Sequence, residues 1–186
     1  MKCQLQIVVL TVLAIQGDRM NDLQQLRQLL TLSHVPRWGI IDTTKNQTVG
    51  EHTFRVMALA KALCFYITPH ASIAVDLGVV LVEALTHDQD ECESGDMPTP
   101  YKRRMGLCNQ VVKEIPERRV VKLADTLEAV IHLDRYGIRS DRVRALLYEE
   151  ALSQAITLWS EVGADYPLGL WMEYVNSIIW LGGNYE

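Results

Sequence analysis

The chain of 186 residues is 48% hydrophobic and 22% charged, a composition typical of one compact globular domain with a substantial core. These values exclude an intrinsically disordered chain, a collagen-like repeat and a small scaffold held by disulfides. The formal net charge of −5 excludes the basic surface that drives non-specific binding to nucleic acid. We therefore expect no nucleic-acid partner.

The four cysteines lie far apart and form no Cys-x-x-Cys pair; they are Cys3, Cys64, Cys92 and Cys108. This spacing argues against a structural zinc site and predicts free thiols in a reducing compartment, so we expect a cytoplasmic protein. The apolar run Ile7–Ile15 is too short for a membrane span, which needs about 20 residues, and no membrane association is expected. Residues 1–20 are interpreted as an N-terminal extension upstream of a natural start at Met20. The alternative is a weak signal peptide with a poor cleavage site.

The first half of the chain shows three helical patterns. Leucines at helical spacing predict a helix over 21–33, which ends before Pro36. Residues 35–48 indicate an irregular connection with one large aromatic side chain, and such loops often carry functional sites. A second helix is predicted over 51–66. The strongly apolar run over 72–90 predicts a buried central helix.

Gly95, Pro98 and Pro100 then interrupt the helical pattern. Beyond them, further helices are predicted over 101–115, 116–134, 140–162 and 167–181. No β-alternating run, internal repeat or glycine-rich phosphate loop competes with this pattern, which excludes nucleotide-binding folds built on a parallel sheet. The sequence therefore predicts an all-α fold, with one domain over residues 21–186.

Candidate metal ligands begin with His87 and Asp88, which are adjacent at the end of the apolar run. A buried imidazole and a buried carboxylate are costly to desolvate unless they are paired, and one divalent cation accepts both. His52 and Asp125 lie in otherwise apolar helical frames and are candidates for the remaining ligands. The alternative is that each is an ordinary surface or hydrogen-bonded core residue.

In order and spacing, this set resembles the H…HD…D pattern of the HD-domain metal-dependent phosphohydrolase superfamily. The resemblance implies a single HD-domain helical fold and a catalytic metal ion held by His52, His87, Asp88 and Asp125. Two histidines and two aspartates suit Zn²⁺, Co²⁺, Mn²⁺ or Fe²⁺, so the identity of the divalent metal stays open.

Further motifs look like those of the bacterial HD-domain 5′-deoxynucleotidases within this superfamily. They are Arg37-Trp38, Glu51-His52, the HDxxE run His87–Glu91 and the GDMPTPYK run Gly95–Lys102. The similarity covers about residues 34–134. Three positions depart from the family pattern, namely Gly50, Thr53 and Thr86. None of the three is a proposed metal ligand.

The sequence is most similar to the phage dATP triphosphohydrolases associated with 2-aminoadenine genomes. The shared features are Arg37-Trp38-Gly39-Ile40, Lys102 after the PTP element, and Lys122 three residues before the last metal ligand. Because a triphosphate attracts more cations than a monophosphate, Arg37, Lys102 and Lys122 favour the longer substrate. The alternatives are a solvated Lys102 and an ordinary helix-surface ion pair between Lys122 and Asp125.

The substrate-binding set implied by the resemblance is Arg37, Trp38, Ile40, Asp96, Pro100, Lys102 and Lys122, and the catalytic set is Glu91 and Lys122. Glu91 lies one helical turn after His87, which suits a base or orienter for the attacking water. We expect Trp38 to wall the sugar and base and Asp96 to accept a hydrogen bond from the 3′-hydroxyl. The resemblance places Ile40 against adenine C2. The alternatives are a core position for Trp38 or Ile40, a turn role for Asp96, and a solvated acidic cluster around Glu91.

The activity implied is metal-dependent hydrolysis of dATP to deoxyadenosine and triphosphate, with water attacking the α-phosphorus. In the cytoplasm of a phage host, this reaction would deplete dATP so that 2-aminoadenine replaces adenine in phage DNA. The alternatives are a 5′-deoxynucleotidase acting on monophosphates, a broader deoxynucleotide phosphohydrolase, and an inactive nucleotide-sensing or assembly module. The apolar C-terminal segment Leu170–Trp180 and the assembly of family members predict a homo-oligomer, either a dimer or a hexamer.

Overall fold

The computed structural model of the chain describes residues 21–67, 74–106, 115–162 and 173. The helices within these ranges are α1 (21–31), α2 (Val49–Ile67), α3 (Leu77–Thr86), α4 (Glu91–Ser94), α5 (Thr99–Arg104), α6 (Pro116–Tyr136) and α7 (Arg142–Glu161). A 3₁₀ turn over Leu32–His34 follows α1. Extended pairing in the described ranges consists of two isolated bridges, Pro36 with Thr48 and Thr43 with Gly137. The predicted all-α fold is confirmed.

Local capping sets the starts of α2 and α3. Thr48 and Glu51 form a reciprocal pair at the start of α2, because the Glu51 N–H donates to Thr48 Oγ1 (3.1 Å) and the Thr48 N–H donates to Glu51 Oε2 (3.2 Å). This capping box moves the helix start to Val49, ahead of the predicted start at residue 51. The Asp76 side chain accepts a hydrogen bond from the Val79 N–H (3.1 Å), and α3 therefore begins at Leu77.

The helix predicted over 72–90 is confirmed over Leu77–Thr86, but its prediction as the buried central helix is wrong. The helix α3 is shorter than that range, residues 87–90 form turns, and its Val79 and Val82 are 41% and 62% exposed. The central helix is α6, on which eleven residues are buried and which packs against α2, α3 and α7. Charged residues at both ends of α6 mask its apolar middle in the sequence, and apolar content alone does not tell how many neighbours a helix has.

The remaining helix predictions have mixed outcomes. The predicted helix over 101–115 is confirmed only as far as Arg104, where α5 ends, and Gly106 takes a left-handed backbone conformation with φ +68°. Residues 107–114 lie outside the described residues. The helices predicted over 21–33, 51–66, 116–134 and 140–162 are confirmed with small shifts of their ends. The helix predicted over 167–181 lies outside the described residues except for position 173.

The hydrophobic core lies between α2, α3, α6 and α7. Its fully buried side chains include Val56 and Leu63 of α2, Val80 of α3, and Leu123 and Leu127 of α6. Burial of a side chain of this size stabilises the fold by about 1.5 to 3 kcal/mol. This core fixes the start of α2, the end of α3 and the middle of α6 relative to one another.

The predicted irregular connection over 35–48 is confirmed, and backbone hydrogen bonds anchor it to the helices behind it. The Thr44 N–H donates to Tyr136 O (2.7 Å), and the Ile138 N–H donates to Asp42 O (3.1 Å). Asp141, which caps α7, also accepts a hydrogen bond from the Asp42 N–H (3.0 Å). The loop is therefore held against the junction of α6 and α7.

Two other predictions concern cysteines and membranes. Cys64 and Cys92 form no disulfide within the described residues, in line with the prediction, whereas Cys3, Cys108 and the proposed extension over residues 1–20 lie outside them. Within the described ranges, no helix combines the length and apolar character needed to cross a bilayer.

Candidate active site

The structure brings the four predicted metal ligands together from three parts of the fold. His52 is the fourth residue of α2, His87 and Asp88 follow α3, and Asp125 lies in the middle of α6. His52 Nε2 lies 3.3 Å from His87 Nε2 and 3.2 Å from Asp125 Oδ1. Asp88 Oδ2 lies 3.5 Å from His52 Nε2 and 3.2 Å from His87 Nε2. One donor atom each from His52, His87 and Asp125 fall within 4.8 Å of one another, with Asp88 beside them.

The hydrogen bonds of the two imidazole rings fix which nitrogen faces this centre. His52 Nδ1 lies 2.8 Å from Glu128 Oε2, and His87 Nδ1 lies 2.8 Å from Ala84 O. A carboxylate and a carbonyl only accept hydrogen bonds, so both Nδ1 atoms carry hydrogen. In the neutral rings, both Nε2 lone pairs then point at the centre together with two carboxylates. This donor set fits a divalent metal ion, and Glu128 occupies the outer position that commonly orients a metal-bound histidine.

The pKa shifts show the same concentration of electron-pair donors. Burial and Arg37 oppose protonation of His52, but contacts with Asp125, Asp88 and Glu128 raise its pKa to about 10. Burial favours the neutral form of Asp88, but His52 and His87 hold its pKa well below the usual range. Lys122 and the two histidines do the same for Asp125. The centre therefore strongly favours a positive charge at its middle.

Glu91 begins α4 and is only 2% exposed. Its Oε1 accepts a hydrogen bond from Lys102 Nζ at 2.6 Å, and its buried Oε2 has no hydrogen-bond partner among the described residues. Burial and the nearby Asp88 raise the pKa of Glu91 to about 7, although Lys102 opposes this shift. Glu91 is thus a buried carboxyl group with one unused oxygen. The two alternatives, a solvated acidic cluster around Glu91 and a solvated Lys102, are therefore wrong.

Two further cations lie beside the four ligands. Lys122 Nζ lies 2.7 Å from Asp125 Oδ2, so the ion pair considered above is present, at the edge of the cluster of four predicted ligands. Arg37 Nη1 lies 3.8 Å from Asp88 Oδ2, and Arg37 Nε and Nη1 are buried without a hydrogen-bond partner in the described part of the chain. Burial disfavours the charge of Arg37, but Asp88 and other acidic residues outweigh burial and raise its pKa.

Trp38 takes a left-handed backbone conformation, with φ +66°, which is uncommon for a bulky residue and marks a functional position more often than chance. The Trp38 N–H donates to Asp96 Oδ2 (3.0 Å), its Nε1 donates to Gln47 Oε1 (2.7 Å), and its ring stacks on His132 with centroids 5.2 Å apart. Asp96 therefore holds the Trp38 loop with one oxygen, which goes beyond a local turn role. Ile40 is 47% exposed, so a core position for Ile40 is wrong.

The structure adds three residues that the sequence did not single out, Gln47, Glu128 and His132. Glu128 and His132 follow Asp125 by three and seven positions on α6, a spacing that places all three on one helix face. That spacing is a signal the sequence carries. Gln47 lies in a polar run of the loop and gives no comparable signal. Pro100, the remaining predicted substrate residue, lies in α5.

Two departures from the family pattern have local explanations. A Cβ added at Gly50 would meet the Ser33 backbone at 3.0 Å, so the close approach of α2 to the 3₁₀ turn favours glycine there. Thr86, the last residue of α3, donates a hydrogen bond from its hydroxyl to Val82 O (3.0 Å). Its described contacts include none of the four predicted ligands.

The family model described as 5′-deoxynucleotidase YfbR-like matches residues 24–138. The chain belongs to the YfbR-like family. As a YfbR-like HD-domain protein, it is an enzyme of nucleotide phosphohydrolysis, and the resemblance found in the sequence is confirmed.

Relatives of this YfbR-like protein include two phage enzymes. It is 30% identical over 171 residues to the dATP triphosphohydrolase of Salmonella phage PMBT28, covering 79% of this chain and 86% of the relative. It is 33% identical over 141 residues to the dATP triphosphohydrolase of Cyanophage S-2L, covering 65% and 77%. The fold matches the structure of the Cyanophage S-2L HD phosphohydrolase bound to dA and one catalytic Zn²⁺ ion, with a TM-score of 0.59 at 24% identity over 76% of this chain and 87% of that one.

Proposed function

We propose that this YfbR-like protein is a metal-dependent dATP triphosphohydrolase, with His52, His87, Asp88 and Asp125 as the metal ligands. The observation that carries the proposal is the convergence of these four side chains beside a buried carboxyl group with an unused oxygen. The naming of relatives as dATP triphosphohydrolases at about 30% identity supports the substrate.

A divalent ion bound there supplies Lewis-acid polarisation of a phosphoryl oxygen. The ligand types leave Zn²⁺, Co²⁺, Mn²⁺ and Fe²⁺ as candidates. The Zn²⁺ ion of the Cyanophage S-2L protein supports zinc among them.

Glu91 is proposed to orient and deprotonate the attacking water through its free Oε2. The water oxygen forms a bond to the α-phosphorus, the bond from that phosphorus to O5′ breaks, and O5′ takes up a proton. The products are deoxyadenosine and triphosphate. Burial and Asp88 raise the pKa of Glu91 to about 7. A carboxyl group with this pKa can both accept and return a proton near neutral pH.

The phosphate chain is proposed to contact Arg37, Lys102 and Lys122. Arg37 offers buried donors without partners among the described residues, and the two lysines flank the metal-binding cluster through Glu91 and Asp125. A triphosphate carries about four negative charges near neutral pH, so three cations beside a metal suit it better than a monophosphate. Lys122 is also assigned a catalytic role, since its charge lies beside a metal ligand where negative charge develops.

The nucleoside is proposed to lie against the 35–48 loop. In this arrangement Trp38 walls the sugar and base, Asp96 accepts from the 3′-hydroxyl with its second oxygen, and Ile40 lies against adenine C2. Pro100 of α5 completes the substrate-binding set. Selection against a 2-amino group at C2 would let a phage enzyme deplete dATP while 2-aminoadenine is incorporated into phage DNA.

A second candidate is a 5′-deoxynucleotidase that acts on deoxynucleoside monophosphates, which the description of the matching family favours. Incubation with dATP and with dAMP, each with Zn²⁺, Co²⁺ or Mn²⁺, separates the two by chromatography of the products. Inorganic triphosphate from dATP supports the first proposal. Orthophosphate from dAMP with dATP intact contradicts it and supports the second.

The same assay extended to the eight common ribo- and deoxynucleoside triphosphates tests for a broader phosphohydrolase. Equal turnover of several deoxynucleotides would replace the dATP proposal with that wider specificity. A chain that binds no divalent ion and turns over no nucleotide would instead be a sensing or assembly module.

A homo-oligomer is also proposed, either a dimer or a hexamer. The apolar C-terminal residues that suggested assembly lie outside the described part of the chain. Support comes from α1, where Leu23, Leu26 and Leu30 are exposed along one helix face. Light scattering measures the mass directly, and a monomer at working concentration would contradict this proposal.

A further inference from the structure

A chain of three hydrogen bonds, one partly buried and two buried, joins Trp38 of the loop to the proposed metal ligand His52. Trp38 Nε1 donates to Gln47 Oε1 at 2.7 Å, and Gln47 Nε2 donates to Glu128 Oε1 at 2.8 Å. Glu128 Oε2 then accepts from His52 Nδ1 at 2.8 Å. Trp38, Gln47, Glu128 and His52 together form the relay.

The chemistry of its members fixes the direction of every bond in the relay. An indole nitrogen only donates, so it requires the oxygen of the Gln47 amide. That places the amide nitrogen toward Glu128. Glu128 Oε1 accepts from Gln47 Nε2 and lies 3.4 Å from the Arg55 guanidinium, so Glu128 is a carboxylate and only accepts. His52 therefore donates from Nδ1 and keeps Nε2 directed at the centre.

Because the relay is largely buried, the loss of any one of its hydrogen bonds is costly. Gln47, Glu128 and His52 are each at most 2% exposed, so a polar atom that loses its partner there has no described route to bulk water and carries a desolvation penalty. The backbone adds to the connection, because Gln47 O accepts from the Arg37 N–H at 2.8 Å. Arg55 Nη1, 3.4 Å from Glu128 Oε1, holds the same carboxylate from α2.

We infer that Gln47 is a positioning residue that couples the pocket wall at Trp38 to the metal ligand His52. Gln47 contacts neither the proposed metal nor the reacting atoms. Its amide instead sets the indole orientation on one side and the Glu128 carboxylate on the other, so a change at the wall alters how firmly His52 is held. The inference rests on the proposed function for the roles of His52 as ligand and Trp38 as wall.

The test measures Co²⁺ affinity without any nucleotide, by titration of the visible absorption of the bound ion. Gln47→Met should weaken Co²⁺ binding about tenfold to a hundredfold, the usual effect of losing support behind a ligand. Trp38→Phe keeps an aromatic ring and removes only the Nε1 donor, and it should weaken Co²⁺ binding several-fold. In the Gln47→Met background, Trp38→Phe should have no further effect, because the relay is already broken.

Trp159→Phe, a change at a buried core tryptophan of α7, is the matched control and should leave the affinity unchanged. If Trp38→Phe leaves Co²⁺ affinity at the wild-type value, or if the losses from Trp38→Phe and Gln47→Met multiply, the inference is overturned. Because Trp38→Phe is a mild change, this outcome does not depend on the folding of Gln47→Met. Absence of Co²⁺ binding by the wild-type chain would overturn the proposed metal site itself, and the inference with it.

Discussion

Lys102 Nζ lies 2.6 Å from Glu91 Oε1. The cation proposed to bind the phosphates therefore donates a hydrogen bond to the carboxylate proposed to deprotonate the attacking water. A lysine ammonium has three donors, which lets it hold Glu91 and a phosphate oxygen together. The pair also has an electrostatic effect, because Lys102 lowers the pKa of Glu91 while burial and Asp88 raise it. Phosphate binding by Lys102 and proton acceptance by Glu91 are therefore linked through this one contact.

Lys102→Ala is expected to reduce kcat/KM for dATP more than kcat/KM for dAMP, since the outer phosphates lose a cation. Removal of Lys102 also removes the charge that opposes protonation of Glu91, so the pKa of Glu91 should rise further. The acidic limb of the pH–rate profile should then move to higher pH. Lys61→Ala, at an exposed lysine of α2, is the control, and equal losses on both nucleotides without a shifted limb would assign Lys102 a structural role.

Asp88→Ala should abolish hydrolysis and weaken metal binding, because it removes a charged ligand and leaves two histidines and one aspartate. Metal content after dialysis, together with dATP turnover, checks both effects. Asp90→Ala is a close control, since Asp90 is exposed and its side chain does not cap α4. Full activity with bound metal in the Asp88 variant would contradict the ligand assignment.

Glu91→Gln should preserve metal and substrate binding while kcat falls by about 10² to 10⁴, the usual contribution of a positioned acid or base. The amide keeps an acceptor for Lys102 but cannot take a proton from water. Steady-state kinetics and metal analysis of the same sample check this, with the exposed Glu93→Gln as control. If metal content collapses along with kcat, Glu91 is a ligand and the proposed role is wrong.

Residue type and helical spacing predicted four of the helices and marked four candidate ligands, which the family resemblance then joined into one site. His52 and Asp125 are polar residues in apolar frames, and the fold places both at the point where α2 and α6 pack together. Such mismatches between a residue and its frame are visible in a sequence because burial must be compensated. Glu128 and His132 carried the same signal, at helical spacing from Asp125.

The contacts of the 35–48 loop were not predictable in the same way. The left-handed backbone of Trp38, its bond to Asp96 and the amide of Gln47 depend on residues that are distant in sequence, such as the 58 positions between Trp38 and Asp96. Loops lack a periodic pattern that relates sequence to contact. Likewise, the apolar α3 was predicted as the central helix because composition measures how apolar a segment is, not how many elements surround it.

His132 should make the fold more sensitive to acid. Burial, together with the nearby cations Arg55, Arg37 and His52, lowers its pKa from 6.5 to about 4, although Glu128 opposes this shift. The unfolded chain therefore binds this proton more readily, so the stabilising contribution is present above about pH 6.5 and is lost as the pH falls toward 4. His132→Phe keeps the stack on Trp38. Between pH 7 and pH 5 it should remove about 2 kcal/mol of the pH dependence of the unfolding free energy. Urea unfolding at both pH values measures this, and an unchanged difference between them would contradict a neutral buried His132.

Ile40→Ala tests base selection at the loop. Ile40 is 47% exposed, so its truncation should not disturb the core, and the resemblance to the phage enzymes places it against adenine C2. An amino group at C2 would overpack the pocket, at about 1 to 3 kcal/mol, and would lose its hydrogen-bond partners, at about 1 to 3 kcal/mol more.

These two effects predict that wild-type enzyme prefers dATP over 2-amino-dATP and dGTP by roughly 10 to 10⁴-fold in kcat/KM. Ile40→Ala should admit both purines with only a modest change in dATP turnover, whereas the neighbouring Ile41→Ala should leave the ratios unaltered. Measurement of kcat/KM for the three nucleotides with each variant gives the answer. Wild-type hydrolysis of 2-amino-dATP as fast as dATP would rule out the depletion of adenine as the purpose of the reaction and leave a general deoxynucleotide phosphohydrolase.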